Sequence, residues 1–381
     1  MNLEFYLDNA ATTPPFAEAI DGALPLLRER FGNPSALYAL GADARSALTQ
    51  ARERLAALLG VPAQAVIFTS GGTEADNQAL QGAFASPRLK GGRLLVTAIE
   101  HAAVLETAQA LERQGVRVEH IPVTRQGIVD LAALEKMLDA EVRLVSCMAV
   151  NNEIGTLQPL EQVGRLVKAA APKAVFHVDA VQAFTKLALP WREAHIDLLS
   201  LSAHKVHGPK GVGALVRCRP VPLEPWLCGG GQEQGLRSGT ENPFGALAFA
   251  LAAERATALH RAQAQERAAY ARRWREALGG YPALRVYASE WATPFVLSVA
   301  HQGLPAEVVL HHLEEQGLLV STGAACHTRK PEPSHVLLAV GLPREQALSS
   351  VRLSFSVHNT LAGQPAALRA FDQAMHKLAR L

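Results

Sequence analysis

Lys205 stands between two histidines in Ser202-Ala203-His204-Lys205-Val206-His207-Gly208-Pro209-Lys210-Gly211, directly after the apolar run 196–201. A surface lysine usually sits on a solvated helix among Glu and Ala, whereas this one follows what reads as a buried strand. Burial and neighbouring positive charge lower an amine's pKa and free it to react with an aldehyde. From this segment alone, the same lysine could equally cap a loop. Other polar groups recur in comparable places. Thr69-Ser70-Gly71-Gly72-Thr73-Glu74 offers glycines for close backbone approach and helix N–H groups for an anion, although Gly-Gly before a helix is also an ordinary turn. Glu100-His101 and Asn151-Asn152-Glu153 follow apolar runs, where a lone His or Asn is commonly a cap or turn residue. Asp179 and Gln182 follow the run 175–178, and Ser202, His204 and Lys205 follow 197–201.

The elements that must hold these groups are legible as alternating periods. Residues 45–59 show helical spacing and stop at Gly60 with Pro62 beyond. Strands are predicted at 66–69, 94–97, 142–150, 175–178, 197–201 and 213–216, with helices at 74–84 and 102–113. Several strands are continuous apolar runs, as expected when both faces are buried. The pattern predicts an α/β fold, a mainly parallel sheet covered by helices. Residues 243–278 predict one long helix or two, leading out of the sheet. Beyond it, 285–287, 295–299 and 351–355 read as extended and 305–316 and 364–380 as helical, a smaller α+β unit. The expected domains are 13–255, large, and 256–381 with 1–12, small.

Ligands in open parallel sheets bind outside the carboxyl ends of the strands, and five polar clusters of this chain fall there. A phosphate cradle, a flat histidine for stacking, a carboxylate for a pyridine nitrogen, an amide for a phenolic oxygen and a lysine for an aldehyde together describe a pyridoxal phosphate site.

Composition narrows the field further. The chain has 381 residues, 49% hydrophobic and 19% charged, enough for a sizeable core. Its 37 Lys and Arg against 35 Asp and Glu give no basic field for nucleic acid or a membrane surface. No signal peptide is read at the N-terminus, and the most apolar stretch, 244–253, is too short to span a bilayer; the expectation is a soluble cytoplasmic protein. The four cysteines, Cys147, Cys218, Cys228 and Cys326, have no metal-site spacing, and neither a disulfide framework nor a metal is expected. Cys147 lies in an apolar run. Cys326 precedes His327-Thr328-Arg329-Lys330, neighbours that favour a thiolate, though an incidental exposed thiol would look the same.

Taken in order, the motifs resemble those of the cysteine desulfurases, in the class V aminotransferase superfamily of fold-type I pyridoxal phosphate enzymes. They include Tyr6-Leu7-Asp8-Asn9-Ala10-Ala11-Thr12-Thr13-Pro14, Phe31-Gly32-Asn33-Pro34-Ser35, 69–77, Glu100-His101, Asn151 to Gly155, His177 to Gln182, 202–211, Gly229 to Thr240, Cys326 with Glu332-Pro333-Ser334, and Arg352. The resemblance implies that Lys205 binds the cofactor's aldehyde, that His101 stacks on its ring and helps move protons, and that Asn151, Gln182 and Asp179 contact the ring. Gly72, Thr73, Ser202 and His204 would hold the phosphate, with Thr240 reaching it from the second subunit of a homodimer. Arg352, with Asn151, would bind the substrate, L-cysteine, and Cys326 would be the nucleophile that takes its sulfur as a persulfide and leaves L-alanine. The length of 323–333 resembles the group with a long cysteine loop, which passes sulfur to an acceptor such as an iron–sulfur scaffold or sulfur carrier for cluster assembly or RNA thiolation. Gly72 stands where alanine is frequent, and the basic residues after Cys326 replace small polar ones. A selenocysteine lyase or another class V enzyme would share the cofactor residues. Cys326 argues against a plain aminotransferase, and intact Lys205, Asp179, His101 and Cys326 argue against a non-catalytic assembly protein on the same fold.

Overall fold

A computed structural model describes residues 2–287, 289–322 and 332–380. Cys326, the expected nucleophile, lies outside the described residues.

Seven strands form the larger sheet: β1 (Val66–Thr69), β2 (Arg93–Thr97), β3 (Arg117–Ile121), β4 (Val142–Ser146), β5 (Val175–Asp179), β6 (Leu198–Ser202) and β7 (Gly213–Arg217), in the order β1-β7-β6-β5-β4-β2-β3. The five strands from β3 to β6 pair in parallel. β7 is antiparallel to both β6 and β1, so β1 runs in the same direction as β6. The carboxyl ends of β1, β2, β4, β5 and β6 therefore face one side, as the polar clusters require. The sheet is mainly parallel as expected, with β7 the reversed member. Helices Ala39–Leu59, Gly72–Ala85, Ala102–Arg113, Leu160–Ala170 and Pro243–Ala262 belong to this unit; β1, β2, β5 and β6 are buried along their whole length.

The predicted long helix after 243 is two helices, Pro243–Ala262 and Ala264–Gly279. The smaller sheet has four antiparallel strands, β8 (Leu284–Tyr287), β9 (Val296–His301), β10 (Ser321–Thr322) and β11 (Ser350–Ser354), in the order β10-β11-β9-β8. Apolar side chains gather into separate cores, one drawn mainly from residues between Phe16 and Ala256 and another from Leu7 and residues between Tyr270 and Leu378. The N-terminal segment crosses between them. Leu7 N donates to Leu319 O at 2.8 Å, and Tyr6 and Asp8 bridge to Leu319 and Ser354. Further on, Thr13 Oγ1 donates to His204 O at 2.9 Å and accepts from His207 N at 2.7 Å. Ala10 and Ala11 are thereby fixed above the lysine turn.

Candidate functional site

A pocket of about 350 Å³ lies at these carboxyl ends, lined by Gly72, Thr73, His101, Asp179, Gln182, Ser202, His204, Lys205 and Arg352 of the residues singled out in sequence. Asn151 and Thr240 are not among its walls. The Asn151 side chain is buried in its own turn, where Oδ1 accepts from Glu153 N (2.9 Å) and Ile154 N (3.0 Å) and Nδ2 donates to Ile99 O (2.9 Å). Its neighbour Asn152 lines the pocket instead. Thr240 is exposed on this subunit.

Lys205 enters from a short turn after β6. Its Nζ donates to Ala10 O at 2.6 Å and Ala11 O at 2.8 Å. Burial first, then the Arg352 charge, lowers its pKa to about 8, with Asp179 and Asp8 opposing. An amine held near neutrality is a far better nucleophile than an ordinary lysine. Asp179, the last residue of β5, is buried, and its Oδ1 accepts from Val181 N at 2.9 Å. Burial raises its pKa, while the backbone hydrogen bond, His101 and Lys205 pull the other way. A bound cation beside it would therefore be strongly favoured.

His101 caps the helix Ala102–Arg113, its Nδ1 accepting from Ala103 N at 3.1 Å. That bond leaves Nε2 for the pocket. Removal of ring surface from water lowers its pKa, with Asp179 opposing. Across the pocket, Arg352 on β11 donates through Nη2 to Asp8 Oδ1 at 2.7 Å and through Nη1 to Asn152 O at 3.1 Å. Its Nε is buried without a partner among the described residues. A planar guanidinium held by its outer nitrogens is suited to a carboxylate.

Other wall residues suit an oxyanion. Gly72 opens the helix Gly72–Ala85, and a Cβ there would meet Val181 Cγ2 at 2.8 Å. Arg237 and Glu74 pair at 2.8 Å, and Glu74 accepts from Ser70 N at 2.9 Å, fixing the turn before the helix. The Ser202 hydroxyl is buried and lacks a partner among the described residues. Leaving such a group unpaired costs about 1–3 kcal/mol, so the site is shaped for something that supplies the missing acceptor. His204 Nδ1 lies 3.1 Å from Thr12 Oγ1, and burial brings its pKa down to about 4. Gln182 Nε2 donates to Ala10 O at 2.9 Å. An aldehyde-reactive amine, a buried carboxylate and an oxyanion cradle in one cavity fit pyridoxal phosphate.

Sequence reasoning missed Asp76, which lines the pocket. Burial and then Asp179 push its pKa well up. The signal was present: Asp76 shares a helical stripe with Ala79, Leu80 and Ala83, all buried, and a carboxylate in an apolar stripe is unusual. Behind it the buried His177 is held by Ser146 Oγ and Ser200 Oγ, each at 2.9 Å. The flanks of 323–331 also reach this mouth. Ser321 pairs with Arg352 across β10 and β11, Ser334 Oγ donates to Glu153 Oε2 at 2.5 Å, and His335 Nε2 bonds Glu100 O at 2.9 Å.

Comparison with known proteins agrees with this geometry. A family model described as aminotransferase class-V matches residues 5–363. A cysteine desulfurase IscS of Clostridium botulinum is 38% identical over 366 residues, covering 94% of this chain and 91% of its own. Cysteine desulfurase 2 of Trichormus variabilis is 40% identical over 358 residues, covering 94% and 89%. Among solved structures, a NifS-like protein superposes with a TM-score of 0.91 at 35% identity, covering 99% of both chains.

Proposed function

We propose, from the premise that the chain belongs to the aminotransferase class V family, that it is a pyridoxal phosphate-dependent cysteine desulfurase supplying sulfur for iron–sulfur cluster assembly. The observation that carries this reading is the convergence of Lys205, Asp179, His101 and Arg352 on one pocket. The cofactor, when bound, supplies an electron sink that makes the substrate's Cα proton acidic.

The chain's own residues supply the rest. Lys205 would hold the cofactor's aldehyde and, as a free amine, would be the base that takes the substrate's Cα proton; an amine with a pKa near 8 suits both tasks. Asp179 would lie against the ring nitrogen and favour its protonated form. His101, whose Nδ1 accepts from Ala103 N, would face the cofactor ring and keep Nε2 free to carry a proton. Gln182 contacts the ring oxygen, and Asn151 shapes the turn that presents Asn152. Thr73 and Ser202, with the backbone at Gly72 and His204, bind the phosphate. Arg352 would grip the substrate carboxylate and so fix the orientation of L-cysteine in the pocket. The Cys326 thiolate attacks the substrate sulfur: the Cβ–S bond breaks, an S–S bond forms on the enzyme, and Cβ takes up a proton to leave as L-alanine.

The same reading makes the protein a cytoplasmic homodimer with domains 13–255 and 256–381 plus 1–12, in which Thr240 of each subunit completes the other's phosphate site. Leu37 is 97% exposed and Phe31 68%, an apolar pair beside the Gly32-Asn33-Pro34 motif that supports a covering partner. The persulfide passes to a protein acceptor, an iron–sulfur scaffold or a sulfur carrier. Incubating the holoenzyme with L-cysteine should give alanine and, with a reductant, sulfide in equal amounts. Cys326→Ser should keep the yellow cofactor band and lose both products. Undiminished desulfuration by that variant would refute the nucleophile assignment.

A further inference from the structure

A second concavity, of about 470 Å³, shares no wall residue with the cofactor pocket. It is bounded by the end of the helix Ala39–Leu59, the segment 184–189 and the end of the helix Pro243–Ala262. Three basic side chains line it, Lys186, His260 and Arg261, and no carboxylate does. Lys186 Nζ has one hydrogen bond among the described residues, to the neutral amide oxygen of Gln182 at 3.3 Å, and it lies 5.9 Å from the centre of the Phe295 ring. The neighbouring side chains that bear on Lys186 and His260 include Lys205 and Arg267, both basic. Arg261 is exposed, with no hydrogen bond or ion pair among the described residues.

A partly buried ammonium such as that of Lys186 normally finds an acid or a phosphate, because an unpaired one costs free energy with nothing returned. Here Lys186 has an amide and a ring beside it and, like Arg261, no counter-ion among the described residues. A second, independent observation marks the same wall. Thr185 has φ 65°, a left-handed conformation that a β-branched residue rarely adopts, and its buried hydroxyl has no partner among the described residues. Strain with an orphaned donor is what a ligand clamp looks like before its ligand arrives. The volume lies within the range of small-molecule sites, and Leu58 and Leu187 give it an apolar side.

We infer that this groove binds a small organic anion, its phosphate or carboxylate head held by Lys186, Arg261 and the Thr185 hydroxyl, its apolar body against the leucines. Calorimetric titration of the holoenzyme, whose cofactor phosphate site is filled, tests this with inorganic phosphate and with butyl phosphate. Saturable binding is expected, at least tenfold tighter for butyl phosphate and at least tenfold weaker in Lys186→Gln and in Arg261→Gln. Arg261 is exposed, so its variant folds irrespective of the outcome at Lys186. Absence of saturable binding, or affinity unchanged in both variants, would overturn the inference. Equal affinity for the two probes would overturn the apolar wall's part in it.

Discussion

Lys205 and Lys186 are two amines of one sheet domain that meet the same solvent exclusion and differ in company. Burial lowers the pKa of each, to about 8 and about 7. Around Lys205 the fold adds the carboxylates of Asp179 and Asp8, the Arg352 guanidinium and two carbonyls within 2.8 Å. Around Lys186 it adds an amide and a ring. The two are joined through Gln182, which accepts from Lys186 and donates to Ala10 O, itself an acceptor of Lys205. Desolvation alone makes an amine reactive; catalysis needs groups that hold the other reactant at a fixed place beside it. Of the two regions, that of Lys205 is the one where charged and polar side chains converge on the amine.

The largest expected effect breaks that side of the contrast. Lys205→Ala should lower alanine formation by about a thousandfold or more and abolish the amine-linked visible band, because base and anchor are lost together. A variant retaining a tenth of wild-type turnover would show that the amine is not the base. Next comes Arg352→Lys. A point charge cannot replace a planar fork, and losing a charge-assisted hydrogen bond worth about 1.5–3 kcal/mol should raise KM for cysteine by roughly 10- to 100-fold with a smaller change in kcat. A fall in kcat at unchanged KM would remove Arg352 from substrate binding.

How much of this contrast could be read from the chain depends on what each residue follows. Lys205, Asp179 and His101 could be read because each lies at or just after the carboxyl end of an apolar run whose direction the parallel sheet fixes. β3 was missed because Arg117, Glu119 and His120 interrupt its apolar alternation at the sheet's edge. Leu160–Ala170 was missed because it opens on Pro159, without a side-chain cap. The exchange of Asn151 for Asn152 at the pocket wall turns on one residue of a loop, and no periodicity sets which of two adjacent asparagines faces inward. Lys186 gave no signal at all. It follows Phe184-Thr185 in a segment without strand or helix period, and its isolation from acids is a property of packing between distant elements.

A milder experiment compares the amines by proton. Addition to an aldehyde requires the neutral amine, so the rate of cofactor capture by the apo-protein should rise with pH and level off through about 8, the value of Lys205. An ordinary lysine would keep gaining until near 10.4. A profile still climbing above pH 9.5 would mean that burial does not tune this amine, and the two lysines would then have to be distinguished by partners alone.

The smallest effect lies at Lys186 and reads stability. Its folded pKa, about 7, is below the ordinary value of 10.5, so between those limits the unfolded chain holds a proton that the folded chain has released. Stability must therefore rise with pH across that window, and the penalty of the unpaired charge is greatest at and below pH 7. Replacing the side chain by an apolar one of similar length removes the penalty. Lys186→Met should stabilise the protein by about 1 kcal/mol or more near pH 6.5, roughly 2 °C in Tm for a chain of this size, with the gain shrinking toward pH 10. Melting curves at matched protein concentration and without added phosphate check this. The neighbours of Lys186 cannot mimic the trend: His260, lowered to about 2, is neutral throughout, and Lys205, titrating near 8, is present in both proteins. A destabilised Lys186→Met would mean that the amine already has a counter-charge in the folded protein, and the difference between the two regions would reduce to one of degree.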